Sequence, residues 1–246
     1  MTYEIRIAGD SALVIEFEQD IREDINRQIK GIFQLLKEQP IQGVLDVIPA
    51  FASLLVSYDP RVITYEKLRK RLKALATIDV SIKDELRRIL EIPVCYGGAY
   101  GPDLAFVAQN AGLSEEEVIK RHTGRDYLIY MLGFLPGFTY LGGLDQAIHT
   151  PRLDEPRLSI EAGSVGIGGN QTGIYPLASP GGWQLIGRTP VKTYDPNRKQ
   201  PILFEAGDYI RFKAIDEESY AEIHRAVLEG TYEVSVIRGE EVRHGN

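Results

Sequence analysis

Cysteine is almost missing from this chain: Cys95 is the one thiol in 246 residues. A lone cysteine excludes an internal disulfide framework and a cysteine-based zinc cluster, and it suits a reducing compartment. Histidine is scarce as well. His122, His149, His224 and His244 show no metal-ligand spacing, so no metal is expected, and each reads as a surface or capping residue. Positive charge is in the minority, with 28 Lys and Arg against 35 Asp and Glu and a formal net charge of −7. No basic run of useful length occurs, and nucleic acid and anionic membrane both need a basic footprint, so neither is expected as a partner. Long apolar runs are lacking too. The longest, at 127–138, is interrupted by Gly133, Pro136 and Gly137 and is too short to span a bilayer. Met1 leads directly into TYEIRIAG, without the basic and apolar segments of a secretory signal, and a cytoplasmic protein is expected.

What is present is concentrated at 131–190, where Gly, Pro, aromatic residues and Arg crowd together: MLGFLPGFTYLGGLD, then PRLDEPRLSIEAGSVGIGGNQTGIYPLASPGGWQLIGRTP. Turns between short strands account for much of the Gly and Pro, since Gly reaches φ > 0 without penalty and Pro fixes φ. Turn geometry does not account for Phe134, Phe138, Tyr140, Tyr175, Trp183, Gln171, Gln184, Arg152, Arg157 and Arg188. Aromatics and forked cations carried on loops are how a rigid scaffold presents a binding surface.

The rest of the chain divides by period. Two short β-rich runs at 3–7 and 12–17 flank Gly9-Asp10 as in a hairpin. Ile21, Ile25, Ile29, Ile32, Phe33 and Leu36 then recur at helical spacing, with Pro40 beyond the end. Strands near 44–48 and 53–58 precede a second helix, for which Thr64 is a candidate cap and Tyr65, Leu68, Leu72 and Leu75 the inner stripe. The order ββαββα predicts a small α+β sandwich over 1–80, with two helices on one face of an antiparallel sheet. The charged segment 78–90 reads as a linker or connecting strand and holds the domain boundary.

A second domain is expected over 90–240. A strand near 90–96 ends at a Gly-rich turn. Two short helices follow, one opened by Pro102-Asp103 and closed by Gly112, the other opened by the capping box Ser114–Glu117 and ending near Gly124. From 127 to 212 short apolar runs alternate with turns, the pattern of a β-barrel or sandwich. Tyr220, Ile223, Val227 and Leu228 mark one more amphipathic helix closed by Gly230, a last strand is expected at 232–237, and the tail 238–246 is expected to fray.

Two phosphate-binding look-alikes fail on context. Gly182–Thr189 has P-loop spacing with Arg188 in place of lysine, but Pro190 follows at once and no helix opens there. The run 163–169 likewise lacks the helix a dinucleotide fingerprint needs. No nucleophile elbow occurs, and no serine sits beside an obvious base. The chain reads as part of a site rather than the whole of one.

Four stretches in order, GFLPGFTYLGGLD (133–145), PRLDEPR (151–157), AGSVGIGGNQTGIYP (162–176) and SPGGWQLIGRTP (179–190), resemble the family of 5-oxoprolinase B subunits. This family is also called allophanate hydrolase subunit 1 and includes the KipI inhibitor of a sporulation histidine kinase. The N-terminal part and IPVCYGGAYGPDL (92–104) resemble it too, so the likeness covers the whole chain. It implies an α+β N-terminal sandwich followed by a mainly-β cyclophilin-like barrel. It also implies action with partner C and A subunits in the ATP-dependent opening of 5-oxoproline to L-glutamate, with ATP as co-substrate and the interface with the C subunit as one place for it. Such chemistry needs cations over developing charge and exclusion of water.

On that resemblance, Arg188 and Arg152 are the candidate catalytic residues, and Arg157 joins them for carboxylate or phosphate contacts. Gln171 and Ser179 would supply hydrogen bonds. Phe134, Pro136, Phe138 and Trp183 would form apolar walls, and Gly163, Gly181 and Gly182 would let backbone amides approach. For Arg152 and Arg157 a bridge to a carboxylate such as Asp154 or Glu155 is an equal alternative. The competing function is inhibition of a sensor histidine kinase, with the same aromatic and glycine surface as a docking patch. Prolyl isomerisation follows only from the barrel and is a poor reading, and the serine signature of allophanate amidases is not found.

Overall fold

A computed structural model describes residues 2–18, 22–77, 88–239 and 243–244. It is mainly β, with a separate antiparallel sheet and a closed seven-strand barrel. The chain divides into two units, 1–84 and 85–246. Most of the connecting segment expected at 78–90 lies outside the described residues; only 88–90 fall within them, as the start of a strand.

The first unit contains β1 (Tyr3–Ile7), β2 (Ala12–Phe17), α1 (Glu23–Glu38), β3 (Val44–Pro49), β4 (Ser53–Tyr58) and α2 (Tyr65–Ala76), with sheet order β1-β2-β4-β3 and every pair antiparallel. Alternation decides which face is buried: Leu13, Ile15 and Phe17 on β2 and Leu54, Val56 and Tyr58 on β4 point inward. Ile25, Ile29, Ile32 and Leu36 of α1 and Leu68 and Leu72 of α2 complete the same core. Thr64 does stand at the N-cap position of α2, but its hydroxyl makes no capping hydrogen bond.

The second unit runs β5 (Arg88–Tyr96), α3 (Leu104–Ala111), α4 (Glu115–Thr123), β6 (Asp126–Leu132), β7 (Thr139–Leu141), a 3₁₀ turn (Gln146–Ile148), β8 (Arg157–Ile160), β9 (Ser164–Gly168), β10 (Gln171–Ile174), β11 (Ser179–Gly181), β12 (Gln184–Arg188), β13 (Tyr209–Ile215), α5 (Glu217–Glu229) and β14 (Val236–Arg238). The barrel follows the order β12-β9-β10-β7-β6-β13-β5 and closes through β5–β12 pairing. Its ladders are antiparallel except β5–β13, which run parallel from Ile89↔Tyr209 to Cys95↔Ile215. β14 pairs with the first residues of β5, and β12 takes Cys95 and Tyr96 at its end. Val94, Tyr127, Ile129, Val165, Ile167, Ile186 and Phe212 fill the interior, with Val107 of α3 and Val118 of α4. β8 and β11 form a separate two-stranded ribbon.

Several expectations need correction. His122 is neither a surface nor a capping residue but is fully buried. The last strand is shorter than expected, covering Val236–Arg238 and not 232–235. No residue of α5 is fully buried, and Leu228 is exposed, because the helix lies against the unit by one partly covered edge. Within the tail, Arg243 is held at its backbone: its N–H donates to the Asp126 carboxylate and its carbonyl accepts from the Asp126 N–H. Ser114 caps α4 as expected, accepting from the Glu117 N–H at 3.2 Å.

Candidate functional site

The arginines singled out in the sequence fall into two groups. Arg188, the last residue of β12, lies opposite Cys95 of β5 and Ser164 of β9 in the barrel ladder. Its guanidinium sits 5.8 Å from the centre of the Tyr100 ring and is ion-paired through Nη1 to Glu161. Its Nε is sealed from solvent without a hydrogen-bond partner. Tyr100 stands in the turn between β5 and α3, and its ring centre is 4.5 Å from that of Tyr220 on α5, which in turn stacks on His224. Burial raises the Tyr220 phenol, while Arg188 pulls it the other way, which places the two in one electrostatic neighbourhood. The Glu161 side chain is 71% exposed against 20% for Arg188. A pair with one wet partner is weak and exchangeable, so another carboxylate or a phosphate could take the place of Glu161 on the same fork.

Gly163 belongs to this pole. With φ +84 it occupies the left-handed region, and a Cβ there would overlap the Thr189 carbonyl oxygen. Its N–H donates to the Tyr175 carbonyl at 2.7 Å and its carbonyl accepts from Thr189 N–H at 2.9 Å. The glycine thus locks β9 to the chain beyond β12, and its amide is committed to the barrel.

The second group surrounds an aromatic nest. The Phe138 ring meets Tyr140, Tyr175 and Trp183 at centroid distances of 5.0, 5.2 and 5.6 Å, and Ile160 and Leu185 close the cluster. Phe138 and Trp183 are 2% and 5% exposed, so they form a buried floor rather than open walls. The Trp183 ring needs Gly168 and Gly173 beside it: a Cβ on Gly168 would overlap the indole nitrogen, and one on Gly173 would come 2.6 Å from the Thr139 carbonyl oxygen. Exposed Arg152 lies over the outer side, 5.8 Å from the Trp183 ring centre.

Arg157 bridges inward. Its Nη2 donates to Asp103 at 2.7 Å and its Nη1 to the Trp183 carbonyl at 3.4 Å, while the second Asp103 oxygen accepts from Leu185 N–H at 2.6 Å. The bridging carboxylate is therefore Asp103, rather than Asp154 or Glu155. Asp103 stands at the N-cap of α3 but makes no capping bond, because its carboxylate is used here.

The remaining candidates sit around this nest. Phe134 is 63% exposed at φ +61, a left-handed conformation costly for a bulky side chain, and its ring packs edge-on against Phe138. Pro136 is exposed beside it in the chain. Gly181 pairs with Arg157 across β11–β8, and the Gly182 carbonyl accepts from Leu153 N–H. Ser179 is 8% exposed, and its hydroxyl has no hydrogen-bond partner. Gln171 is half-buried where β10 leaves the β9 turn.

Sequence reasoning missed Tyr100, Glu161, Tyr220 and Asp103 as site components, and it missed a buried polar network. His122 Nδ1 lies 2.8 Å from the Tyr96 hydroxyl and Nε2 lies 2.9 Å from the Thr172 hydroxyl. Thr172 donates its proton to the Gly166 carbonyl, so Nε2–H is the donor toward Thr172 and Nδ1 accepts from Tyr96. Burial, seconded by Arg125, drives the His122 pKa down to about 3, and the ring is neutral. Val118, four residues earlier on α4 and equally buried, is the helical-spacing signal that could have found it.

A family model for the carboxyltransferase domain, subdomain C and D, matches residues 3–204. The chain is 45% identical over 232 residues to the 5-oxoprolinase B subunit of Bacillus subtilis (strain 168), an alignment covering 89% of this chain and 95% of that one. It is 44% identical over 207 residues to the protein of the same name from Escherichia coli O157:H7, covering 84% and 93%. Among solved structures, the urea carboxylase of Kluyveromyces lactis superimposes with a TM-score of 0.80 at 21% identity, covering 98% of this chain and 24% of that one. At that identity the likeness is one of fold.

Proposed function

The chain belongs to the family of 5-oxoprolinase B subunits, and from that premise we propose that it is the B subunit of an ATP-dependent 5-oxoprolinase. In this reading it opens 5-oxoproline to L-glutamate in the cytoplasm, together with C and A subunits. The observation that carries it is the 45% identity to the Bacillus subtilis B subunit across 95% of that protein. The pole around Arg188 supports it. A guanidinium held against an aromatic ring, with an exposed carboxylate as its partner, suits the carboxylate of 5-oxoproline or a developing anionic charge.

We read the closed barrel as cyclophilin-like, and shared fold alone does not bring prolyl isomerisation with it. The segment Gly182–Thr189 builds no phosphate cradle. Gly182–Thr189 contains strand β12, and Gln184, Leu185, Gly187 and Arg188 occupy ladder positions against β9 and β5. No step through ATP is assigned to this segment, and in this reading ATP is a co-substrate of the assembled complex. Phe134 at positive φ and Leu158 at 92% exposure favour a second macromolecule on the nest side of the barrel, where exposed apolar groups would be covered.

The test is ADP release, with glutamate quantified in parallel, from this chain mixed with candidate C and A subunits, with and without 5-oxoproline. Turnover that requires both this chain and the substrate supports the reading. A competent C and A pair that gains nothing from its addition overturns it and moves the histidine-kinase inhibitor to the front, with kinase autophosphorylation as its assay.

A further inference from the structure

The chain is acidic overall, yet α2 carries Lys67, Arg69, Lys70, Arg71 and Lys73 against the single acid Glu66. In the linear sequence these cations are broken up by Leu68 and Leu72. Once the helix forms, Leu68 and Leu72 are buried, and Lys67, Lys70, Arg71 and Ala74 align at i, i+3, i+4 and i+7. Together with Gln42, Val62 and Ile63 they line an open cleft of 560 Å³ in the first unit. Among the described residues, Lys67, Lys70 and Arg71 form no ion pair. Elsewhere in the chain Arg6, Arg61 and Arg121 do pair, with Glu4, Asp59 and Glu117. Three unpaired like charges on one helix face repel one another, so an anionic partner that neutralises them removes that repulsion.

The geometry points to this cleft as the docking site for an acidic, amphipathic polypeptide segment of a partner chain. Its carboxylates would meet Lys67, Lys70 and Arg71, and its apolar side chains would cover Val62, which is 54% exposed, and Ala74. A membrane surface fits less well. The apolar face of α2 is already spent on the core through Leu68, Leu72 and Ala76, so no large apolar side chain on the cleft face of the helix remains to enter a bilayer. A small anion fits less well too, since the cations are long, flexible and arranged along an open trough. The inference rests on the first unit alone and stands or falls separately from the reading of the barrel.

The test uses the ¹⁵N-labelled full chain and three probes: a helical peptide of alternating Glu and Leu faces, oligoglutamate of the same net charge, and phosphatidylserine vesicles. The Glu/Leu peptide is expected to bind saturably, to shift the amides of Val62, Ile63 and 67–74, and to weaken as salt is raised. Oligoglutamate is expected to bind several-fold more weakly, because it leaves Val62 uncovered. K67E/K70E/R71E is expected to weaken the peptide by about tenfold or more with the far-ultraviolet circular dichroism unchanged; K67Q/K70Q/R71Q, which adds no repulsion, serves if the reversal unfolds the helix. Absence of saturable binding, equal affinity for both peptides, shifts elsewhere in the chain, or vesicle binding through these same residues overturns the proposal.

Discussion

The aromatic nest and the Arg188 pole are built from the same glycine- and arginine-rich stretch, yet they end in opposite conditions. In the nest the conspicuous residues are consumed by the fold: Trp183 and Phe138 are buried, and Arg157 is tied to Asp103 and to a backbone carbonyl. At the pole Arg188 keeps an exposed, exchangeable carboxylate and a buried Nε without a partner. A motif rich in aromatics and arginine is therefore not uniformly a site. Part of it is the packing that holds the strands in place, and the part whose arginine keeps an exposed, exchangeable carboxylate is where ligand chemistry fits.

If that division is right, damage to the nest is read out as lost stability. Trp183→Ala removes the side chain that fills the space over Gly168 and Gly173 and is expected to cost about 3 to 5 kcal/mol in denaturant unfolding. A loss under about 1 kcal/mol would mean that the nest is not a core. Asp103→Ala leaves the Leu185 N–H and the Arg157 fork without their carboxylate and is expected to cost about 1 to 3 kcal/mol, measured the same way.

The His122 network gives a pH-dependent version of the same contrast. The folded-state pKa of about 3 lies below the ordinary value of 6.5, so the neutral ring favours the folded chain above pH 6.5, and that contribution is lost as pH falls toward 3. Unfolding free energy is expected to drop by on the order of 2 kcal/mol from His122 between pH 7 and pH 5. His122→Gln is expected to flatten that part of the profile, and an unchanged slope in the variant would refute the assignment.

The smallest effect on stability is expected at the pole itself. Glu161→Gln removes an exposed charge and should leave stability within about 0.5 kcal/mol of the parent. In the assembled complex it should lower the KM for 5-oxoproline more than it changes kcat, because Arg188 no longer has to exchange one carboxylate for another. A fall in kcat alone would assign Glu161 a different role.

These distinctions were only partly legible in the sequence. Strands β2 and β4 announced themselves as short β-rich runs and α1 by its isoleucine spacing, whereas the alternation that buries one face of β2 and β4 appears only in the folded sheet. Period does not report which strand lies next door. The parallel β5–β13 pair and the β5–β12 closure join residues distant in the chain and left no local trace. The motif residues were found, but their division was not. Whether an arginine is spent or free depends on Asp103, Tyr100 and Glu161, and folding alone brings those residues within reach.

The most direct test of the account is Arg188→Ala in the reconstituted complex of B, C and A subunits, with substrate-dependent ADP release and thermal unfolding measured on the same preparation. The account predicts that turnover is abolished while the unfolding midpoint stays close to that of the parent. Full turnover would contradict it, and so would a loss of activity that merely tracks a loss of folded protein.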